Sequence, residues 1–129
     1  MRAYKIDPSN PMINLTIGLT HIHRGHKTHS GIQQPDILHA LTFIFRYHEI
    51  RMESEHLEER LEAHYNVART YQLLGMTHLA VPYYQKVLNE AEGRKVDLVT
   101  ETAFNLQNVY TLAGNMELAR KITNKYLVL

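Results

Sequence analysis

Residues 65–75 run Tyr65-Asn66-Val67-Ala68-Arg69-Thr70-Tyr71-Gln72-Leu73-Leu74-Gly75, and residues 104–114 run Phe104-Asn105-Leu106-Gln107-Asn108-Val109-Tyr110-Thr111-Leu112-Ala113-Gly114. The two stretches align without a gap. Six positions are identical at an offset of 39 residues: Asn66/Asn105, Tyr71/Tyr110, Leu73/Leu112, Gly75/Gly114, Leu79/Leu118 and Ala80/Ala119. One fixed offset across six identities indicates an internal repeat and predicts an array of similar units.

Each copy predicts two helices that flank a glycine. The first helix carries apolar residues at helical spacing, namely Val67, Ala68, Tyr71 and Leu74. Gly75 and Gly114 are predicted to end their helices, because glycine adopts the left-handed conformation at little cost. Thr77 and Asn115 are predicted to be the N-caps of the helices that follow.

The order of small and aromatic residues is similar to the tetratricopeptide pattern, in which helix pairs repeat about every 34 residues. Ala80 and Tyr84 occupy its A-x3-F positions, and Ala119 is the equivalent alanine of the next copy. The offset of 39 is longer than that period, so the extra residues are expected in a loop around Gly93. The resemblance implies an all-α fold, a tetratricopeptide-repeat (TPR) right-handed superhelix of about three helix pairs.

The whole chain, residues 1–129, is predicted to be a single TPR array. Its units are a degenerate repeat at 10–54 with an insertion at 24–34, a repeat at 61–92 and a repeat at 97–129. The second helix of the degenerate repeat is predicted to begin near Asp36, a good N-cap, and to end near Arg51–Ser54. Arg51 and Glu55, four residues apart, are expected to form an ion pair.

Composition excludes several classes of protein. The chain has 129 residues and no cysteine, which excludes a disulfide scaffold, a thiolate zinc site and a cysteine nucleophile. A net charge of +1 argues against nucleic-acid binding through bulk charge. No apolar run reaches the ~18 residues that a membrane span needs, and no signal peptide is expected at the N-terminus. No phosphate-binding glycine loop or hydrolase motif is present, so neither an enzyme nor a cofactor is predicted.

Four histidines, His21, His23, His26 and His29, lie within nine residues. Imidazole is a common metal ligand, which makes these four residues candidate ligands. Their spacing differs from that of a helical two-histidine site, and Arg24 and Lys27 repel a divalent cation. A polar insertion without metal is therefore predicted, with a metal-binding or nucleic-acid-binding module as the alternatives.

The first helix of each TPR pair lines the concave face, where a partner binds. By the alignment this face carries Glu62, Tyr65, Arg69, Gln72, Glu101, Phe104, Asn108 and Thr111. Tyr65 and Phe104 suit a partner's apolar side chain, and Arg69 suits a carboxylate. The alternative is that these residues pack against neighbouring helices.

A chaperone-adaptor module is the rival interpretation of the groove. TPR domains of that class use lysines to hold a terminal carboxylate, whereas Tyr65 and Phe104 stand at the corresponding positions here. Glu62 and Glu101 would repel an acidic tail. The sequence therefore favours a different partner.

The regions outside the repeat core resemble one family in particular, the TPR subunits of RNA polymerase III transcription factor IIIC. The segments that carry this resemblance are Asp7-Pro8-Ser9-Asn10-Pro11-Met12-Ile13-Asn14-Leu15, residues 71–88, and the stretch from Ala103 to Leu129. The resemblance covers nearly the whole chain in order. The histidine-rich insertion matches no motif of that family.

This resemblance implies that the chain is the C-terminal part of a longer nuclear subunit. Such a subunit is a scaffold that holds other factor IIIC subunits and recruits factor IIIB to tRNA-type genes, so its contact with DNA would be indirect. Helices that have lost their neighbours would expose apolar side chains, so self-association of the isolated chain is also expected.

Overall fold

The computed structural model describes residues 8–26, 34–94 and 96–128. Those residues form six α-helices and no strand, and a single π-helical turn, Thr123–Leu127, follows the last helix. The helices are α1 (Pro11–His26), α2 (Gln34–Met52), α3 (Leu57–Leu73), α4 (Thr77–Glu90), α5 (Asp97–Leu112) and α6 (Met116–Ile122). The all-α prediction is confirmed.

The helices stack in the order of the chain. Each helix contacts the next one, and α3 also touches α5. Residues 24–26 belong to α1 and Gln34 opens α2, so the helices extend into both ends of the predicted insertion, and residues 27–33 lie outside the described residues. No helix in the described part of the chain is long and apolar enough to cross a membrane.

The two glycine turns have the same geometry. Gly75 and Gly114 have φ angles of 79° and 80°, in the left-handed region, as the repeat predicts. The N–H of Met76 donates to the carbonyl of Tyr71 at 2.8 Å, and the N–H of Asn115 donates to that of Tyr110 at 2.8 Å. These bonds complete Schellman motifs that satisfy the free carbonyl groups at the helix ends.

Helix starts follow the sequence less closely. Asn115 is an N-cap as predicted, because its Oδ1 accepts a hydrogen bond from the N–H of Leu118 at 3.3 Å. The prediction for Thr77 is wrong: Met76 takes the cap position without a side-chain bond, and Thr77 is the first helical residue. The prediction for Asp36 is also wrong, since α2 begins two residues earlier, at Gln34. Pro35 therefore lies in the first turn of the helix, where a missing N–H removes no intrahelical hydrogen bond.

The core combines aliphatic side chains with small and aromatic residues on facing helices. Its alanines, Ala68, Ala80, Ala103 and Ala119, are all at most 3% exposed. Tyr71, Tyr84 and Tyr110 fill the spaces that the alanines leave, and each is less than 9% exposed. At Gly18 a Cβ atom would lie 2.9 Å from the side chain of Ile44, so α1 and α2 meet where glycine allows a close approach.

Hydrogen bonds between a tyrosine hydroxyl and a side-chain amide join most of the neighbouring helices. The pairs are Asn66 to Tyr47 at 2.9 Å, Tyr84 to Gln72 at 2.5 Å, Gln85 to Tyr110 at 2.9 Å and Asn105 to Tyr65 at 3.1 Å. Each bond satisfies a polar group that the packing partly removes from water. The tyrosines thus fix the register of the helices as well as filling space.

Candidate partner-binding groove

A groove of about 530 Å³ opens between α3 and α5. It is lined by Glu58, Glu62, Tyr65, Asn66, Val96, Asp97, Leu98 and Glu101. Three of the eight predicted partner-binding residues, Glu62, Tyr65 and Glu101, are therefore brought together at one concave site.

Tyr65 connects the two walls of the groove. Its hydroxyl donates to Oε1 of Glu101 at 2.7 Å and accepts from Nδ2 of Asn105 at 3.1 Å. Partial burial, together with the hydrogen bond to Glu101, raises the pKa of Tyr65 above its ordinary value. The hydroxyl therefore remains a donor at neutral pH and holds the Glu101 carboxylate in place.

Arg69 and Gln72 lie outside the groove lining and take part in a different network. The guanidinium of Arg69 donates to Oε1 of Gln72 at 3.2 Å, and the same oxygen accepts from the hydroxyl of Tyr84. Burial raises the pKa of Tyr84 to about 12, against the lowering effect of Arg69. Arg69 thus supports the contact between α3 and α4.

The remaining predicted residues of α5 also lie outside the groove lining. The Phe104 side chain is 55% exposed, while Asn108 and Thr111 are half-buried. The hydroxyl of Thr111 donates to the carbonyl of Gln107 at 2.9 Å and accepts from the side-chain amide of Gln107 at 3.1 Å. Phe104 is the one among these three whose side chain is mainly open to solvent.

The groove has a negative charge. Four carboxylates line it, those of Glu58, Glu62, Asp97 and Glu101, and the lining contains no lysine or arginine. None of the four forms an ion pair with a described residue. Such a surface attracts cations and repels an acidic tail, which disfavours the chaperone-adaptor interpretation.

Several glutamates elsewhere on the described surface do have cationic partners. Glu49 pairs with Arg46 at 3.4 Å, Glu117 with Lys121 at 3.5 Å and Glu92 with Lys125 at 3.4 Å. The expected pair of Arg51 with Glu55 is wrong. Arg51 contacts Glu59 at 2.9 Å, because α2 ends at Met52 and the helical spacing does not continue to Glu55.

Five residues of the lining were not predicted from the sequence. Glu58 and Asp97 stand four residues before Glu62 and Glu101, one helical turn earlier on the same faces. Extending the predicted rows by one step would have found both. Asn66, Val96 and Leu98 enter the lining through the packing of α3 against the start of α5, which the repeat alignment does not describe.

The described part of the histidine-rich segment belongs to α1 and lies outside the groove lining. The ring of His21 stacks on that of Phe43 with centroids 5.7 Å apart, and it lies 5.0 Å from the ring of His39. His29 and the side chains of His23 and His26 lie outside the described part of the structure. Among the described residues, no group of three His, Cys, Asp or Glu side chains is arranged to hold a metal ion.

The described residues thus form an all-α fold with an open, negatively charged groove. Comparison with known proteins is more specific, although no family model matches the chain. The chain is 36% identical to Transcription factor tau subunit sfc4 of Schizosaccharomyces pombe, over 98% of this chain and 14% of that protein. It is 38% identical to Transcription factor tau 131 kDa subunit of Saccharomyces cerevisiae, over 93% of this chain and 12% of that protein.

A human relative, General transcription factor 3C polypeptide 3, is 29% identical over 98% of this chain and 14% of its own length. The chain is thus related along nearly its whole length to subunits of transcription factor IIIC, which confirms the resemblance found in the sequence. It spans 12–14% of the length of these relatives. They are transcription factor subunits and not enzymes, in agreement with the prediction of a non-enzyme.

Proposed function

We propose that the chain is a TPR array that serves as a protein-interaction segment of a transcription factor IIIC subunit. It acts in the nucleus, where it helps to assemble RNA polymerase III initiation complexes on tRNA-type genes. Its partners are other factor IIIC subunits and factor IIIB subunits, and its link to DNA is through them. The three transcription factor relatives, which match nearly all of this chain, are the observation that carries the proposal.

The groove between α3 and α5 is the proposed docking site. It is concave, and its carboxylates have no cationic partner among the described residues, whereas Glu49, Glu92 and Glu117 outside it are paired. Carboxylates that are arranged in two rows and left unpaired suit a partner segment that supplies lysine or arginine side chains.

Apolar and aromatic groups within the same groove restrict which side chains the partner segment can carry. Leu98 and Val96 are half-buried in the lining and offer contact to the aliphatic part of a long basic side chain. The aromatic ring of Tyr65 lies beside Glu101, and a cation bound to that carboxylate can form a cation–π contact with the ring. The expected partner segment is therefore basic, with its charges spaced to reach both α3 and α5.

A capture experiment from nuclear extract tests the proposal. The wild-type chain is compared with a Glu62→Gln, Glu101→Gln variant, in which both side chains keep their size and the new amide oxygen at position 101 can still accept the bond from Tyr65. We expect the wild-type chain to capture factor IIIC or factor IIIB subunits. The captured amount should decrease as the salt concentration rises from about 0.1 to 0.5 M, because salt screens the charges. The variant should lose most of them.

The matched control is a Glu49→Gln, Glu117→Gln variant, which removes the same charge from exposed positions outside the groove. It should capture the same subunits as the wild type. Equal capture by both variants would contradict the groove as the docking site. Recovery of chaperones in place of transcription factor subunits would contradict the proposed function itself.

A further inference from the structure

Two histidines from different helices meet at the contact between α2 and α3. Nε2 of His48 lies 3.0 Å from Nδ1 of His64, and the rings are 5.0 Å apart. His64 is only 4% exposed, and its other nitrogen, Nε2, lies 3.3 Å from Oε2 of Glu90 on α4. The pair and Glu90 thus join three consecutive helices.

Both nitrogens of His64 are engaged, which fixes the number of protons that the contact can hold. If Nε2 of His64 carries its proton toward Glu90, then Nδ1 holds the lone pair that accepts from Nε2 of His48. The bond between the rings needs one lone pair on one of the two facing nitrogens. A first added proton leaves that lone pair in place, but a second one makes both facing nitrogens donors and breaks the bond.

The surroundings oppose protonation. Burial, followed by the nearby His64 and Lys86, lowers the pKa of His48 to about 4, while Glu90 acts in the opposite direction. Burial also lowers the pKa of His64, assisted by Lys86 and Arg60 and opposed by Glu90. The centroid of the Tyr83 ring lies 5.7 Å from that of His48, in an edge-on arrangement, and 6.4 Å from that of His64. Nζ of Lys86 lies 4.9 Å from the centroid of the same tyrosine ring.

We propose that the His48–His64 pair is a proton-sensitive junction that holds α2 against α3 while the imidazoles are neutral and releases α2 as they become charged. The contact lies beside a second one, because Asn66 of α3 donates to the hydroxyl of Tyr47, the residue before His48. Asn66 lines the groove. Release of α2 therefore also removes the partner that holds this groove residue.

The sign of the pH effect follows from the two states of the chain. In the unfolded chain a histidine takes up a proton near pH 6.5, whereas folding lowers the pKa of both His48 and His64. The contribution of the pair to the unfolding free energy is therefore fully present above pH 6.5. It is lost as the pH falls from 6.5 toward 4. For His48 alone, the folding equilibrium constant should drop about 10- to 30-fold between pH 7.5 and pH 5.

Urea unfolding of the whole chain at pH values from 7.5 to 4.5 tests the junction. The informative variant is His48→Gln, since the glutamine amide can still donate to His64 but does not take up a proton. Between pH 7.5 and pH 5 its folding constant should fall about 10- to 30-fold less than that of the wild type. The control is His78→Gln on exposed His78 of α4, and its curve should run parallel to the wild-type curve.

A merely structural role for His48 would shift the stability equally at every pH and leave the slope unchanged, which would overturn the proposal. A nitrogen-detected NMR titration of the wild-type imidazoles provides a second test that needs no variant. His48 and His64 should remain neutral at pH 6 and lose their mutual hydrogen bond together at lower pH. Titration of either ring near pH 6.5 would overturn the junction.

Discussion

Replacing Tyr84 with phenylalanine removes a single hydroxyl from the centre of the helix stack. Tyr84 is fully buried, and its hydroxyl donates to Oε1 of Gln72 at 2.5 Å across the contact between α4 and α3. The substitution keeps the ring and its packing. It therefore measures what the hydroxyl contributes to folding through its bond to Gln72 and its interaction with Arg69.

The size of the effect follows from what remains after the change. A buried hydrogen bond contributes about 0.5–1.5 kcal/mol net, and leaving an acceptor without any partner would cost more. Gln72 keeps Arg69 as a donor at 3.2 Å and is half-buried, so the larger penalty does not apply. The small void left by the hydroxyl adds a little, and Tyr84→Phe should cost about 1–2 kcal/mol of unfolding free energy.

Thermal and urea denaturation followed by circular dichroism measure this cost. For a chain of 129 residues the expected decrease in Tm is about 4–7 °C. The matched control is Tyr71→Phe, because Tyr71 is buried to a similar degree while its hydroxyl forms no hydrogen bond within the described structure. It should change the free energy by less than about 0.5 kcal/mol. Equal effects of the two substitutions would refute the assignment of the stabilisation to the hydrogen bond.

Two further predictions concern the last helix pair. Asn115→Ala removes the side-chain cap of α6 and should lower the unfolding free energy by about 1 kcal/mol, while Asn115→Asp should keep most of it; identical Tm values for the two variants would contradict the cap. Leu112 is 85% exposed and Met116 is 56% exposed, so Leu112→Glu should reduce self-association of the isolated chain in light scattering without changing its Tm. A wild-type chain that stays monomeric at high concentration would contradict this prediction.

The elements that local chemistry determines could be predicted from the sequence. Gly75 and Gly114 end α3 and α5 because a left-handed turn residue is specified by glycine itself, and the repeat placed both correctly. The cap at Asn115 follows from the same kind of short-range preference. Thr77 failed as a cap because the Schellman turn places Met76 at the position before the helix.

Contacts between helices were harder to predict, because they depend on packing and not on spacing along the chain. The periodicity placed Glu62, Tyr65 and Glu101 on facing helices, but it did not show that Arg69 would turn toward Gln72. The contact of His48 with His64 joins two helices at unrelated positions of the pattern. No repeat, motif or charge spacing in the sequence indicates it.

The proposed contact between the carboxylates of the α3–α5 groove and a basic segment of another transcription factor subunit can be detected chemically. Carbodiimide coupling joins a carboxylate directly to a lysine only when the two are in contact, and mass spectrometry identifies the joined residues. The measurement is made on the chain with factor IIIC and factor IIIB subunits captured from nuclear extract. We expect links to a lysine of such a subunit from Glu58, Glu62, Asp97 or Glu101. Links to those subunits from Glu49 or Glu117, with none from the groove, would contradict the proposed contact.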